Sequence, residues 1–268
     1  MTIKPVAAFI VDAFSYKAFS GNPAAVCILN EDKSDSWLQQ VAAEFNLSET
    51  AFLRQQNNNH WHLRWFTPTC EVKLCGHATL ASTHVLLKEL KLPYSSLTFS
   101  SLSGDLAARI EGSQIALNFP RIFSHPMMSV PNEIDALGLN QLNAYTAGED
   151  IILELAYEAD VTDYQPDFAA IKNIIDVRGL IITAPSATKE RDFVSRFFAP
   201  NVGINEDPVT GSAHCSLGDL WFKKLGKKSL RAEQLSKRRG FLEVVVHEQR
   251  VELIGECVTV LKGQLCSQ

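Results

Sequence analysis

Three residues of this chain join an ionisable side chain to a setting in which it could do chemistry: Glu49, His77 and Asp207. Glu49 stands in NLSETAFL, among Leu47, Ala51, Phe52 and Leu53, where the chain enters a strand. Burial there would lift a carboxyl from its usual value of about 4.3 toward neutrality, the range in which it can take a proton and return it. At a solvated strand edge the same residue would do nothing of the kind. His77 falls in the first turn of a helical stretch, where the dipole disfavours imidazolium and leaves a neutral ring able to hydrogen-bond a substrate or relay a proton; a ring that caps its own turn is the alternative. Asp207, in NEDPVTGSAH, precedes a proline and either faces a ligand or serves as an Asx-turn or cap residue. Its neighbour Glu206 is expected in solvent.

Two glycines open the helical stretches beside these residues, Gly76 in GHATLASTHVLLKEL and Gly211 in GSAHCSLGDLWFKKL. A helix that starts at glycine presents backbone N–H groups without intrahelical partners and the positive end of its dipole. Two such starts facing a cleft between halves would hold a carboxylate or phosphate. Singly, each glycine is also explained by a tight turn. The pair belongs to a larger pattern, because the glycines lie 135 residues apart in a chain of 268.

Around them the order helix, strand, strand, proline loop, glycine, helix occurs twice. SDSWLQQVAAEF, with Leu38, Val41 and Phe45 on one face, is matched by PDFAAIKNII, which starts at Pro166 in the favoured first-turn position. Strand-like runs follow at 50–54 and 179–183, then WHLRWF and DFVSRFF, running into FTP at 66–68 and FAP at 198–200. Seven residues past each proline stand Cys75 and Asp207. The strands expected in the first half are 6–14, 23–29, 97–101, 105–110 and 114–119. We read a tandem duplication of α+β halves, 1–122 and 123–268, joined in PRIFSHPMMSVP where three prolines interrupt both periodicities. The acid Glu49 breaks the symmetry, since the second half has Gly179 or Leu180 near that point.

Composition removes several other classes. With 46% hydrophobic and 21% charged residues and a net charge of -5, the chain is an ordinary globular one, with no global field for nucleic acid or an acidic membrane surface. No apolar run approaches the roughly 20 residues of a spanning helix, and the N-terminal stretch alternates, so a soluble, cytoplasmic protein is expected. The six cysteines include no CxxC pair and look like reduced thiols. Signatures of nucleotide loops, zinc proteases and serine hydrolases are absent. A racemase working through two thiols would want a cysteine before each glycine, but only Cys75 is so placed; Val209 and Thr210 precede Gly211, and Cys215 lies a turn inside the helix. Cys75 is therefore expected as a small packed residue. Cys70, Cys75, His77 and His84 cluster in sequence, yet their spacing favours an organic ligand over a metal. The run Lys223 to Arg239 carries eight basic residues and one acid, usually a solvated face.

VDAFSYKAFSGNPAAV, NLSETAFL, RWFTPTCEVKLCGHAT and NEDPVTGSAH resemble, in that order, the blocks of the phenazine-biosynthesis (PhzF-type) isomerase-like family, across residues 8 to about 225. The resemblance implies a diaminopimelate-epimerase-like fold of two similar domains, each a curved mixed sheet around a central helix, with the site between them. It also implies that Glu49 is the general acid/base, that His77 and Asp207 assist, and that Gly76, Gly211 and Ser212 hold the substrate carboxylate. No cofactor or metal is implied, and a homodimer is. The phenazine enzyme of the family isomerises trans-2,3-dihydro-3-hydroxyanthranilate. The expectation is thus a cofactor-independent isomerase of a small cyclic or unsaturated carboxylate, with an epimerase of a small amino or hydroxy acid, or a carboxylate-binding module without turnover, as alternatives.

Overall fold

The computed structural model describes residues 5–174 and 177–266. Contacts divide the chain into two compact units, Met1–Asn118 with Ile254–Gln268, and Phe119–Leu253.

The first unit begins with β1 (Val6–Ala13) antiparallel to β2 (Asn22–Leu29), Phe9 opposite Val26. A crossover through α1 (Asp35–Phe45) brings β3 (Glu49–Asn57) parallel to β2. Ser34 caps α1 by accepting from Trp37 N–H, and Asn46 closes it in the left-handed conformation. β3 turns back into β4 (His60–Phe66), which pairs with the short β5 (Glu71–Val72). Next comes α2 (Gly76–His84), and then a meander of β6 (Ser96–Ser101), β7 (Gly104–Glu111) and β8 (Gln114–Pro120), with β6 parallel to β4. Beyond His84 the helix widens into one turn with Leu90 N–H bonded to Val85 O, five residues back.

α2 packs against β1, β2, β3 and β7, and every residue from His77 to Thr83 is buried. A helix hidden on all sides cannot hand its polar side chains to water. Thr79, Ser82 and Thr83 instead donate to the carbonyls of Cys75, Ala78 and Thr79, at 2.6, 2.7 and 2.9 Å. On the other face of the strands, α1 adds Leu38, Val41 and Ala42 to a cluster with Phe52 and Phe66, whose rings meet edge to face.

The second unit repeats this plan after two extra elements, β9 (His125–Pro126) and α3 (Asn132–Asp135). β10 (Gln141–Ala147) is antiparallel to β11 (Asp150–Leu155), and α4 (Glu158–Asp163) and α5 (Phe168–Lys172) lead to β12 (Gly179–Pro185), parallel to β11. β13 (Phe193–Ala199) and β14 (Ile204–Asp207) precede the buried α6 (Gly211–Leu225), and β15 (Ser229–Gln234) and β16 (Gly240–Val246) follow. β17 (Arg250–Gly255) then leads to β18 (Cys257–Leu265), which pairs antiparallel with β1 and packs on α2. The expected boundary at 122/123 therefore falls at Asn118/Phe119. The C-terminal segment, assigned from sequence to the second half, belongs to the first unit because its backbone bonds are spent on β1.

Register makes the duplication exact enough to pair residues. Thr50 lies opposite Phe66 and Leu180 opposite Phe198, so Glu49 corresponds to Gly179. In both units an arginine two residues before that Phe makes a two-pronged ion pair and lies over the Phe ring at 5.0 Å: Arg64 with Glu71 on Phe66, Arg196 with Glu206 on Phe198. Glu206 is thus bound to Arg196 and not solvated as expected. The proline loop of the second unit is longer, with a helical turn at Pro200–Val202. Counting seven residues from each proline therefore misaligned Cys75 with Asp207. Cys75 and Thr210 are the equivalent residues, each preceding the first residue of its helix. The helix expected over 166–175 is shorter because Asp167, and not Pro166, begins it, accepting from Ala169 and Ala170 N–H. Ile175 lies outside the described residues. Half of the basic run is paired inside its own unit, through Lys223 with Asp219, Lys224 with Glu154, Lys227 with Asp192 and Arg239 with Glu233.

α6 packs closely on β16 at Gly218, where an added Cβ would come within 2.7 Å of Val244 Cγ1. Gly218→Ala would gain about 1 kcal/mol of helix propensity and incur about 1–3 kcal/mol of overpacking. A net loss of stability is expected in urea unfolding, and a more stable variant would contradict this packing.

Candidate active site

In the first unit, α2 and two of the strands around it deliver one side chain each to a common point. Asn22 is the first residue of β2, Glu49 the first of β3, and His77 lies in the first turn of α2. The turn before Asn22 requires Gly21, at φ +72, because a Cβ there would meet Ala13 O at 2.2 Å. The same turn is tied down by Asp12, whose Oδ2 accepts from Phe19 N–H at 2.6 Å. His77 Nε2 lies 3.2 Å from Glu49 Oε2, in contact but without the alignment of a full hydrogen bond. On the other side of the ring, Nδ1 is 3.2 Å from Asn22 Nδ2 and 3.5 Å from Cys75 Sγ. With the amide N–H donating to Nδ1, the ring proton belongs on Nε2, the side of the carboxylate.

The His77 ring is 4% exposed, and burial pulls its pKa down from 6.5 to about 3. The ring is neutral at physiological pH, with desolvation as the cause of its lowered pKa. Glu49 is neither on the outer surface nor sealed in: its side chain keeps 13% of its exposure. Cys75 is buried, and the structure gives it a contact with His77 that the sequence reading did not foresee. One oxygen of Glu49, the Cys75 sulfur and one ring nitrogen of His77 all lie within 4.8 Å of one another. Carboxylate, thiolate and imidazole are a donor set that zinc accepts, so among the described residues these three could hold a metal. Cys70 is exposed, and His84 bonds Thr259 and contacts Glu89; neither joins the group.

In the second unit, Asp207 ends β14, buried to 6%, and Gly211 and Ser212 open α6. The loop between them is clamped. Asp207 Oδ2 accepts from Thr210 Oγ1 at 2.5 Å, Gln234 Nε2 donates to Asp207 O at 2.6 Å, and Thr210 N–H donates to Gln234 Oε1 at 2.9 Å. Ser236 Oγ also donates to Pro208 O. These bonds fix the path by which the chain enters α6, and so the direction of its first N–H groups. Gln234 and Ser236 had no signal in the sequence, because they come from β15 and the turn after it. One turn into α6, His214 is fully buried, with Nδ1 at 2.8 Å from Thr210 O and its ring stacked on Phe193. Burial lowers its pKa to about 4. Cys215 is also buried, its thiol pushed up to about 12, which removes it as a nucleophile or proton carrier.

Both buried histidines carry a pH signature. Their folded values, about 3 and about 4, lie below the 6.5 of an unfolded histidine. Between these limits the unfolded chain binds protons that the folded chain refuses, so stability is held above about pH 6.5 and lost as pH falls through the window. Urea unfolding from pH 7 to pH 5 should show this decline, and His214→Gln should flatten it while lowering stability throughout. An equal slope in the variant would contradict burial of a neutral ring.

Comparison with known proteins places these residues in a family. The family pattern described as phenazine biosynthesis-like protein matches residues 11–263. An uncharacterized isomerase of Halalkalibacterium halodurans is 46% identical over 259 residues, covering 96% of this chain and 97% of that protein. The crystal structure of a PhzF-family phenazine biosynthesis protein from Enterococcus faecalis superposes with a TM-score of 0.93 at 41% identity, covering 98% of this chain and 99% of that one. A probable proline racemase from Agrobacterium radiobacter shares the fold alone, with a TM-score of 0.64 at 10% identity over 98% of this chain and 93% of that one. The architecture is the α+β, diaminopimelate-epimerase-like one expected from the sequence blocks. With matching blocks, matching topology and these likenesses along nearly the whole chain, this protein belongs to the PhzC-PhzF, phenazine biosynthesis-like family.

Proposed function

We propose that this protein is an isomerase that moves a proton on a small cyclic or unsaturated carboxylate, without a cofactor. The observation that carries the reading is the contact of Glu49 with a buried, neutral His77 at 3.2 Å. A carboxylate that removes a C–H proton and returns it at another carbon must stay ionised in the resting state and be held in one orientation. The neutral imidazole packed against Glu49 at 3.2 Å limits the orientations open to the carboxylate without the strong charge that would suppress basicity. Asn22 sets that tautomer through Nδ1.

The start of α6 is assigned to the substrate carboxylate. Gly211 and Ser212 offer backbone N–H groups and a hydroxyl, and the clamp on Asp207–Thr210 keeps them in place before any ligand arrives. Asp207 is assigned to a polar substituent and Gly76, at the start of α2, to anion stabilisation. Relatives named as isomerases support the class of reaction, and the buried carboxylate-imidazole contact supports the residue roles.

Glu49→Gln should lower kcat by about 10²–10⁴-fold while leaving affinity for a carboxylate ligand nearly unchanged, because the general base is lost and the binding groups stay. Unchanged turnover would refute the assignment of Glu49. Reaction in D₂O separates the second reading, an epimerase, which the shared fold of a proline racemase keeps in view. Deuterium at a new carbon with a displaced double bond is the expected result. Exchange at a single carbon with inverted configuration would establish epimerisation, and carboxylate binding with neither exchange nor product would establish a binding module.

A further inference from the structure

The two units differ at the point where their strand registers coincide. In the first, β3 begins with Glu49, opposite Ala24 of β2. In the second, β12 begins with Gly179, opposite Asp150 of β11. No side chain fits at 179, since a Cβ would lie 2.4 Å from Phe197 Cζ. The acid has crossed to the neighbouring strand, and Asp150 is 4% exposed. A buried carboxylate requires a partner, and the residue before Gly179 provides it.

Arg178 grips Asp150 with two nitrogens. Nε donates to Oδ1 at 2.9 Å and Nη2 donates to Oδ2. The guanidinium plane is steadied by the Phe197 ring, 5.3 Å from Cζ. Burial works against the charge of Arg178, but the bonds to Asp150 outweigh it and hold the group fully protonated. Nη2 also donates to Ser212 Oγ at 3.1 Å, in the first turn of α6. The Arg178 side chain keeps 31% of its exposure, so this bond lies at the rim of the unit and not in its core.

A hydroxyl that accepts from a guanidinium has its oxygen engaged, and its own proton is left to point elsewhere. We propose that Arg178 is the positioning residue of the carboxylate-binding turn: its bond to Ser212 Oγ turns the serine hydroxyl into a committed donor for a substrate carboxylate and makes the turn select anions over neutral isosteres. This rests on the assignment of the α6 start to the carboxylate and names what tunes it. Asp150 holds the guanidinium in register, and Phe197 forbids a competing acid at 179.

The test uses the full chain with benzoate and its neutral counterpart benzamide as probes in titration calorimetry. Removing Arg178 alone would strand the buried Asp150, so the variant is Arg178→Gln with Asp150→Asn, a neutral hydrogen-bonded pair. Arg178→Lys serves as a second variant, keeping the ion pair while a single ammonium cannot fork to both Asp150 and Ser212. Both should weaken benzoate binding by about tenfold and leave benzamide within about twofold, and in a Ser212→Ala background the loss from changing Arg178 should fall below about twofold. A merely structural role would weaken both probes alike, and that result would overturn the proposal, as would benzoate affinity unchanged in both variants. Absence of benzoate binding by the wild-type protein would instead sink the carboxylate assignment of α6 itself, and the role of Arg178 with it.

Discussion

A helix with no solvent face governs this structure. Once α2 is packed against β1, β2, β3, β7 and β18, its hydroxyl side chains Thr79, Ser82 and Thr83 have only its own carbonyls to bond, and they bond them. The interior of such a helix is chemically silent. Its first turn is different, because the leading N–H groups have no intrahelical partner and the dipole concentrates there. The polar groups gathered at each helix start come from the adjacent strand ends and loops: Asn22 and Glu49 in one case, Asp207, Arg178 and Gln234 in the other.

Burial at this point does two kinds of work. It keeps His77 neutral, with its pKa near 3, so the ring acts as a hydrogen-bonding group across the physiological range and never as a cation beside Glu49. It also sorts the thiols. Cys215, one turn inside α6, is pushed up to about 12 and is inert, while Cys75 lies against the His77 ring at the helix start.

Duplication supplied two copies of the same frame, and the copies have diverged where function would need them to. The Arg64–Glu71 and Arg196–Glu206 pairs, each over a phenylalanine, have kept the same geometry, as expected of bonds that tie β5 and β14 to their neighbours. At the strand starts the copies part. Glu49 stands beside a histidine, whereas Gly179 lies under Phe197 and leaves the charge to an Asp150–Arg178 pair.

The sequence by itself determined the internal repeat, the α+β class, most of the strands of the first unit and the two helices that begin at Gly76 and Gly211. Glycine and proline punctuation and apolar periodicity are local properties, and they survive without tertiary contacts. It also singled out Glu49, His77, Asp207 and Gly211, because motif blocks keep chemical residues in fixed local order. Only the tertiary structure decided the rest. The proline loop of the second unit is longer, so counting along the chain paired Asp207 with Cys75, and strand register was needed to pair Thr210 with it instead. The C-terminal strand joins β1, an association between the two ends of the chain that no local pattern encodes. Asn22, Arg178 and Gln234 reach the helix starts from elsewhere in the chain, at sequence separations of 55, 34 and 24 for the bonds to His77, Ser212 and Thr210. Their roles follow from distance in space, which hydrogen bonding and desolvation respond to and spacing along the chain does not.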